Sequence, residues 1–400
     1  MTEPAKKSVF YDFLSRYSGD DFDSYMAGAV TDEDYLNWNG YTLRYVFEDE
    51  QKEYRAVREG CALFDATPAN KYRIRGNDAG PLLDYLTTRA MSALPPMRAT
   101  YAIWCNPDGM LNDDAMLLKL AGDDYLLFAA EVDHTEYLAE LAGRFADVTV
   151  VDESAQWAGL AVQGARSCAV LAAFGFDGVE QLKPYGIANF ELAGARVIVA
   201  RVGITGDLGY EIWFDRSISP AIEDAFVAAE KELELQISGY GLTTIQLCRM
   251  ESGMIVPGWD TAQTFEDPEF ERSPFELGLA WNVDLEREGD FVGKAALLAE
   301  RAHGSRFAMK GFEVDDECEL LDGTELFATI DGVPVQVGTL PSVSWSHDAE
   351  RWIGLCSLRT EHAEVTDCFV TLDDGEHACR IVGLPFVTFD RRRQVPAPTD

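Results

Sequence analysis

The segment "RVGITGDLGYEIWF", residues 201–214, decides how this chain is interpreted. Gly203, Gly206 and Gly209 recur every three residues and indicate a bend in which the backbone comes close to another group. The strand-like run that follows carries a lone carboxylate, Glu211, between Tyr and Ile. The spacing lacks the Gly-x-Gly-x-x-Gly pattern, and no helix N-terminus follows that would receive a pyrophosphate. We therefore favour a turn over a nucleotide loop, after which Glu211 either enters an apolar pocket or, as is usual for a glutamate at a strand edge, faces solvent.

The size and charge of the chain limit the classes of function. It has 400 residues, enough for two or three domains that each bury a core. It carries 69 acidic and 33 basic residues, a net charge of −36. Acid spread along the whole chain predicts a solvated surface that high salt would screen, and we expect a salt-adapted (halophilic) source, with an ordinary acidic protein as the alternative. Such a surface argues against nucleic-acid partners, which require a basic face.

The distribution of apolar residues, cysteines and histidines indicates where the protein is located and whether it binds a metal. No apolar run reaches the roughly 18–20 residues of a membrane span, and the N-terminal sequence lacks the apolar core of a signal peptide. We therefore expect a soluble, cytoplasmic protein without a membrane partner. The eight cysteines show no Cys-x-x-Cys pair and do not cluster with the five histidines. This pattern predicts buried, reduced cysteines and no metal site.

The order of predicted elements indicates an α+β fold. Antiparallel strands mix with helices instead of alternating strictly with them, which disfavours a doubly wound sheet. From about residue 306 the chain changes to short strands separated by Gly, Asp and Pro turns, typical of an all-β barrel or jelly roll. We predict an N-terminal α+β region over 1–150, a second α+β region over 151–305 and an all-β domain over 306–400.

Further residues have the chemistry to form a site together with Glu211. The run "NDDAMLL" places two carboxylates at the head of an apolar strand, and because side chains alternate along a strand, Asp113 and Asp114 must point to opposite faces. Only one of them can therefore enter a pocket. "LCRMESGM" sets Arg249 in an apolar helical stretch, and "SPFELGLAWNV" presents Trp281 beside glycines.

Taken in order, these segments resemble the family of the glycine cleavage system T-protein (aminomethyltransferase) and the related tetrahydrofolate-dependent demethylases. "EYRAVREGCALFDATPANKYRIRGNDA" is similar to the N-terminal signature of that family, and "CNPDGMLNDDAMLLKL" resembles its Asp-Asp segment. "RVGITGDLGYEIWF" resembles its glycine loop, and "LCRMESGM", "SPFELGLAWNV" and "CRIVGLPFV" follow in the family's order. The resemblance spans roughly residues 45–387.

The resemblance implies a three-domain cloverleaf around a central cavity that holds tetrahydrofolate. Glu211 would accept hydrogen bonds from the pterin N–H groups, since an ionised carboxylate is acceptor-only. The other cofactor contacts that the resemblance implies are Arg249, Trp281 and Tyr101. Aligned without gaps, Asp114 takes the place of the family's key aspartate, and Asp113 does so if the turn is one residue shorter.

Two departures and one added segment distinguish this chain within the family. Ile204 stands where the family has a loop tyrosine, and Ala129 stands where T-proteins tend to have asparagine. The N-terminal segment contributes aromatic residues that either line a site for a small methylated substrate, through cation–π attraction, or simply pack that segment: Tyr25, Tyr35, Trp38, Tyr41 and Tyr45. The run 391–393, three arginines, either meets the glutamate tail of the folate or serves solubility.

The resemblance therefore implies transfer of a one-carbon group to N5 of tetrahydrofolate. We favour a demethylase whose donor is a free metabolite: a sulfonium such as dimethylsulfoniopropionate, a methylated amine or betaine, or a methoxy-aromatic. The alternative is the aminomethyltransferase of the glycine cleavage system, which would need a lipoyl carrier protein as partner. A second alternative is a folate-binding module without catalysis.

Overall fold

The chain folds into three lobes, and each lobe is built on its own sheet. The computed structural model describes residues 6–16, 35–130, 132–261, 270–315 and 318–396. Within these ranges the helices are α1 (Tyr11–Ser15), α2 (Glu50–Glu59), α3 (Ala79–Leu86), α4 (Thr135–Ala142), α5 (Ser167–Ala173), α6 (Ser219–Leu233), α7 (Leu242–Glu251) and α8 (Lys294–His303).

The strands of the described residues fall into one hairpin and three larger sheets. In chain order they are β1 (Tyr35–Trp38), β2 (Tyr41–Arg44), β3 (Cys61–Asp65), β4 (Asn70–Arg75), β5 (Arg98–Cys105), β6 (Leu111–Ala121), β7 (Asp124–Ala129), β8 (Thr149–Asp152), β9 (Trp157–Gln163), β10 (Ile187–Leu192), β11 (Ala195–Ala200), β12 (Gly209–Asp215), β13 (Ile237–Gly239), β14 (Phe307–Val314), β15 (Thr324–Ile330), β16 (Val333–Ser346), β17 (Arg351–Arg359), β18 (Asp367–Leu372) and β19 (Gly375–Val382).

The five-stranded lobe, residues 70–152, contains an antiparallel sheet in the order β5-β6-β7-β4-β8. Strand β6 begins with alternating buried and half-buried residues, and one face of the sheet packs under α3 and α4 around Trp104 and Leu117. The opposite face, which includes Phe128, packs against Ile198 and Trp213 of the next lobe. Residues that alternate along β6 therefore face either the core of this lobe or the second lobe.

The six-stranded lobe consists of β3 together with residues 157–239, in the strand order β10-β11-β12-β9-β3-β13. Its core includes Phe10 of the N-terminal segment, Leu160 and Phe226. Strand β3 pairs antiparallel with β9 and parallel with β13, and all five of its residues are buried. The predicted border at residue 150 thus differs from the division into sheets. Strand β3 lies before residue 150 in the sequence, but it pairs within the sheet of the second lobe.

The third lobe is a closed six-stranded barrel in the order β14-β17-β16-β15-β18-β19. Its core contains Phe312, Leu326 and Leu358. The prediction of an α+β fold with an all-β C-terminal barrel is confirmed, and the barrel begins at Phe307. Among the described residues, no helix combines the length and apolar character needed to cross a membrane.

Candidate active site

A cavity of about 820 Å³ lies where the three lobes meet. A volume of this size falls within the roughly 300–1,000 Å³ typical of small-molecule sites. All three lobes, the segment after α7 and the C-terminal segment contribute to its wall, with residues that include Trp38, Tyr101, Asp114, Met116, Phe128, Ala130, Ile204, Asp207, Glu211, Trp213, Tyr240, Ile255, Trp259, Leu277, Trp281, Met309, Lys310, Leu384 and Arg392.

The glycine loop brings Glu211 to this cavity through close backbone packing. A Cβ atom on Gly203 or Gly209 would lie 2.1 and 2.0 Å, respectively, from the Oε1 atom of Gln163. This buried glutamine bonds the Val202 and Tyr210 carbonyl oxygens and therefore fixes both ends of the loop. A side chain at either position would push the Gln163 amide out of these hydrogen bonds, whereas glycine leaves room for them.

Strand β12 then presents alternate residues to opposite sides. Tyr210 and Ile212 enter the core of the six-stranded lobe, whereas Glu211 and Trp213 line the cavity. The indole of Trp213 donates to the Glu211 carboxylate at 3.3 Å and stacks on Phe128 with ring centroids 3.9 Å apart. Desolvation by the surrounding apolar groups raises the pKa of Glu211 to about 7, although the Trp213 bond favours the charged form.

A second carboxylate, Asp114, lies on the wall that β6 contributes. It accepts a hydrogen bond of 2.6 Å from the hydroxyl of Tyr101 on the neighbouring strand. Burial, and next the Asp114 charge, raise the pKa of Tyr101 well above its usual range, so the phenol remains a donor. The ring of Trp281, 62% exposed, stacks on Tyr101 with centroids 6.2 Å apart. The three residues form one polar and aromatic group at the cavity.

Asp113 points away from the cavity, into the core of the five-stranded lobe. Its side chain is fully buried, and its Oδ2 atom lies 2.6 Å from Nε2 of His134. This orientation removes Asp113 as a candidate for contact with a bound ligand. The alternation of β6 is the physical reason, because consecutive strand residues face opposite sides.

Arg249, which the resemblance places at the cofactor, is fully buried behind the cavity wall. Its guanidinium pairs with Asp260 at 2.5 Å and also donates to Gln246, Ser342 and the Met254 carbonyl oxygen. The described part of the cavity wall does not include it. Arg249 therefore joins the α7 segment to the barrel, and its contact with the cofactor stays a prediction.

Of the predicted substrate aromatics, Trp38 lines the cavity and donates to the Ala130 carbonyl oxygen at 2.7 Å. Tyr41 is buried with Lys6 over its ring, and Tyr45 packs with the α7 cluster. Neither tyrosine belongs to the described cavity wall, so the structure does not place them beside Trp38 at the cavity. Tyr35 stacks with Arg44, and Tyr25 lies outside the described residues.

Two of the C-terminal arginines have different surroundings: one pairs with a carboxylate of the glycine loop, and the other lines the cavity. Arg391 forms a bidentate pair with Asp207 of the glycine loop, at 2.5 and 2.6 Å. Arg392 lines the cavity, as does Lys310 of the barrel. These two cations lie in a cavity wall that also holds Asp114 and Glu211.

Sequence reasoning missed Trp213, Phe128 and Lys310. Trp213 was detectable, because a residue two positions after Glu211 on the same strand shares its face. Phe128 lies on β7, and its stacking on Trp213 depends on how the two lobes pack. Lys310 comes from the barrel, so only the tertiary arrangement brings it to the cavity.

Comparison with known proteins agrees with this architecture. Residues 10–287 match the family model "GCVT N-terminal domain", and residues 308–388 match "Glycine cleavage T-protein C-terminal barrel domain". An aminomethyltransferase of Saccharopolyspora erythraea is 29% identical over 88% of this chain and 94% of that protein. A trimethylamine-oxide aldolase of Ruegeria pomeroyi is 28% identical over 98% of this chain and 48% of that protein.

A solved structure shows the same fold. The crystal structure of glycine cleavage system aminomethyltransferase T from Bartonella henselae superimposes with a TM-score of 0.80 over 97% of this chain and 99% of that chain, at 20% identity. The two family models and the relatives place the protein in a class, the tetrahydrofolate-dependent one-carbon transferases. The chain belongs to the glycine cleavage T-protein family.

Proposed function

We propose that this protein transfers a methyl group from a small, positively charged methylated metabolite to N5 of tetrahydrofolate. The observation that carries the proposal is the Asp114 carboxylate, held by Tyr101 on a cavity wall that also contains Trp281 and Trp38. A carboxylate among aromatic faces suits an onium group, because each ring adds about 0.5–2 kcal/mol of cation–π attraction. A sulfonium or a methylated amine carries that charge, whereas a methoxy-aromatic does not.

The cavity residues also fit tetrahydrofolate. Glu211 would accept the pterin N–H donors, while Trp213 and Phe128 provide flat apolar surface beside it. Lys310 and Arg392 supply positive charge for the carboxylates of the glutamate tail. When bound, tetrahydrofolate supplies the N5 atom that accepts the one-carbon group.

The roles of the protein's own groups follow from charge and position. Asp114 stabilises positive charge near the reacting atoms or orients a water that carries a proton away. Tyr101 holds that carboxylate in place through its 2.6 Å hydrogen bond. The surrounding rings exclude water and align the donor, which are the main requirements of a displacement at carbon.

Three observations support a free metabolite as the donor. Trp38, from the hairpin of β1 and β2, closes the wall next to Ala130, the first residue after β7. The trimethylamine-oxide aldolase relative aligns with 98% of this chain, against 88% for the Saccharopolyspora aminomethyltransferase. Ile204 in the glycine loop adds an apolar side chain to the cavity.

A second candidate function is that of the aminomethyltransferase in the glycine cleavage system. The names of the relatives favour it, since several of them are aminomethyltransferases. The donor would then be an aminomethyl group on the lipoyl arm of a carrier protein. A folate-binding module without catalysis is the third candidate, and it predicts folate affinity without turnover.

Product analysis separates these candidates. The protein is incubated with tetrahydrofolate and one donor at a time: dimethylsulfoniopropionate, methylated amines and betaines, a methoxy-aromatic, or an aminomethylated lipoyl carrier protein. We expect 5-methyl-tetrahydrofolate with a cationic donor, formed about 100- to 1,000-fold more slowly by Asp114→Asn. Methylene-tetrahydrofolate from the carrier alone would establish the aminomethyltransferase instead, and folate binding without any product would leave the non-catalytic module.

A further inference from the structure

The strand that carries Asp114 is irregular just before it. The pairing of β5 with β6 shifts register between Trp104, which lies opposite Asp113, and Cys105, which lies opposite Leu111. One extra residue, Asn112, therefore sits on the β6 side as a bulge. Bulges re-aim the following side chains and are frequent next to active sites. The bulge lies directly before the two consecutive aspartates, of which Asp114 lines the cavity and Asp113 does not.

Asp113 is held on both carboxylate oxygens. Its Oδ1 atom accepts the backbone N–H of Asp114 at 2.8 Å, and its Oδ2 atom contacts Nε2 of His134 at 2.6 Å. Both side chains are buried, with 0% and 6% of their surface exposed. A buried carboxylate is costly unless it is paired and hydrogen-bonded, so this pair is a fixed feature of the core.

His134 is itself anchored from two sides. Its backbone N–H donates to the hydroxyl of Tyr72 at 2.7 Å, and its ring meets the Trp104 indole edge-on with centroids 5.0 Å apart. The residue immediately precedes α4, so the helix fixes its backbone. The imidazole therefore has little freedom to follow a moving Asp113.

We propose that His134 and Asp113 act as a positioning pair that fixes the backbone of Asp114 and thereby holds its carboxylate on the cavity wall. This proposal rests on the role of Asp114 in the proposed one-carbon transfer. Neither residue belongs to the described cavity wall; the contacts run from His134 through the Asp113 carboxylate to the amide of Asp114.

The expected effect follows from how steeply transfer depends on alignment. A displacement of about 1 Å in a reacting arrangement costs on the order of 100-fold in rate. Without the imidazole, the Asp113 carboxylate can rotate and lose its hydrogen bond to the Asp114 amide. The backbone of Asp114 is then less restrained, and its carboxylate is held less firmly against Tyr101. Folate contacts at Glu211 lie on another lobe, so folate affinity should be unaffected.

The alternative is that the pair only satisfies two buried polar groups. Three variants distinguish the two cases: His134→Leu removes the contact, His134→Gln keeps an N–H donor near the Nε2 position, and Leu138→Ala is a control. Leu138 is fully buried on α4, the helix that His134 precedes, and belongs to the core cluster of this lobe. The Leu138→Ala substitution should therefore lower the free energy of unfolding and leave the His134–Asp113 contact in place.

Steady-state kinetics of methyl transfer and fluorescence titration with tetrahydrofolate are measured at a temperature where all variants are folded. We expect His134→Leu to lower kcat about 10- to 100-fold, with KM for the donor and the folate Kd within about twofold. His134→Gln should restore kcat to within a few-fold, and Leu138→Ala should leave it unchanged. Equal losses in His134→Leu and Leu138→Ala, or no rescue by glutamine, would overturn the proposal.

A second readout is independent of turnover. Hydrogen exchange of the Asp114 amide, followed by NMR on ¹⁵N-aspartate-labelled protein, reports directly on its bond to Asp113. We expect exchange to be at least about tenfold faster in His134→Leu than in the wild type and unchanged in His134→Gln. Absence of wild-type turnover would count against the proposed function alone, whereas equal exchange rates in all variants would count against the positioning pair.

Discussion

The pKa of Glu211 leads to a pH dependence of folate binding. Burial raises this pKa to about 7 in the unliganded protein, whereas the pterin's N–H donors require the ionised carboxylate. Folate binding must therefore release a proton wherever Glu211 starts protonated. Affinity should rise as the pH rises through 7, and the Glu211→Gln variant should lose this dependence.

The magnitude follows from the fraction of ionised Glu211. With a pKa of about 7, roughly one molecule in eleven is ionised at pH 6 and ten in eleven at pH 8. The affinity for tetrahydrofolate should consequently be about tenfold weaker at pH 6 than at pH 8, with about one proton released per ligand at pH 6. Glu211→Gln should weaken binding at pH 8 about 13- to 160-fold, because losing a charge-assisted hydrogen bond costs about 1.5–3 kcal/mol.

Isothermal titration calorimetry at both pH values, in two buffers with different ionisation enthalpies, measures affinity and proton release together. The Glu211→Gln variant is the matched control for all other titrating groups. A wild-type affinity that does not change between pH 6 and 8, or a variant that retains the same slope, would refute the role of Glu211.

The remaining predictions concern catalysis, the donor and the surface charge. Asp114→Asn should lower kcat about 100- to 1,000-fold and leave the folate Kd within a few-fold, measured by product formation and by titration; a small loss of kcat would exclude an electrostatic role. Trp38→Leu should raise KM for an onium donor about 2- to 30-fold with little change in folate Kd, and equal changes in both would contradict a donor contact. Because the net charge is −36, raising KCl from 0.1 to 2 M should raise Tm by at least about 5 °C, measured by scanning calorimetry, and a Tm independent of KCl would contradict salt adaptation.

The fold and part of the site were predictable because local patterns determine them. Strand alternation alone predicted that Asp113 and Asp114 face opposite sides, but which of them faces the cavity follows from tertiary packing, in which Asp113 contacts His134 and Asp114 lines the cavity. The hairpin-rich C-terminal sequence indicated the barrel, since strands separated by short turns pair with their neighbours. By contrast, the long-range pairing of β3 with β9 carries no local signal, so the border at 150 differed from the sheets.

Residues whose role depends on partners far along the chain were less predictable. The sequence places Arg249 in an apolar helix whether its guanidinium contacts a cofactor or the protein itself. Its burial is explained by hydrogen bonds to Asp260 and Ser342, which lie far from it or outside its helix. Among the N-terminal aromatics, Trp38 and Tyr41 lie opposite each other at the end of one hairpin, yet only Trp38 reaches the cavity. The packing of that hairpin on the two α+β lobes makes the difference.

The most direct test of the central claim is a crystal structure of the protein soaked with tetrahydrofolate. We predict density for the pteridine in the cavity between the three lobes, with its N–H donors on the Glu211 carboxylate and N5 on the side of Asp114. Density for the ligand elsewhere, or a cavity that stays free of it at saturating concentration, would contradict the claim.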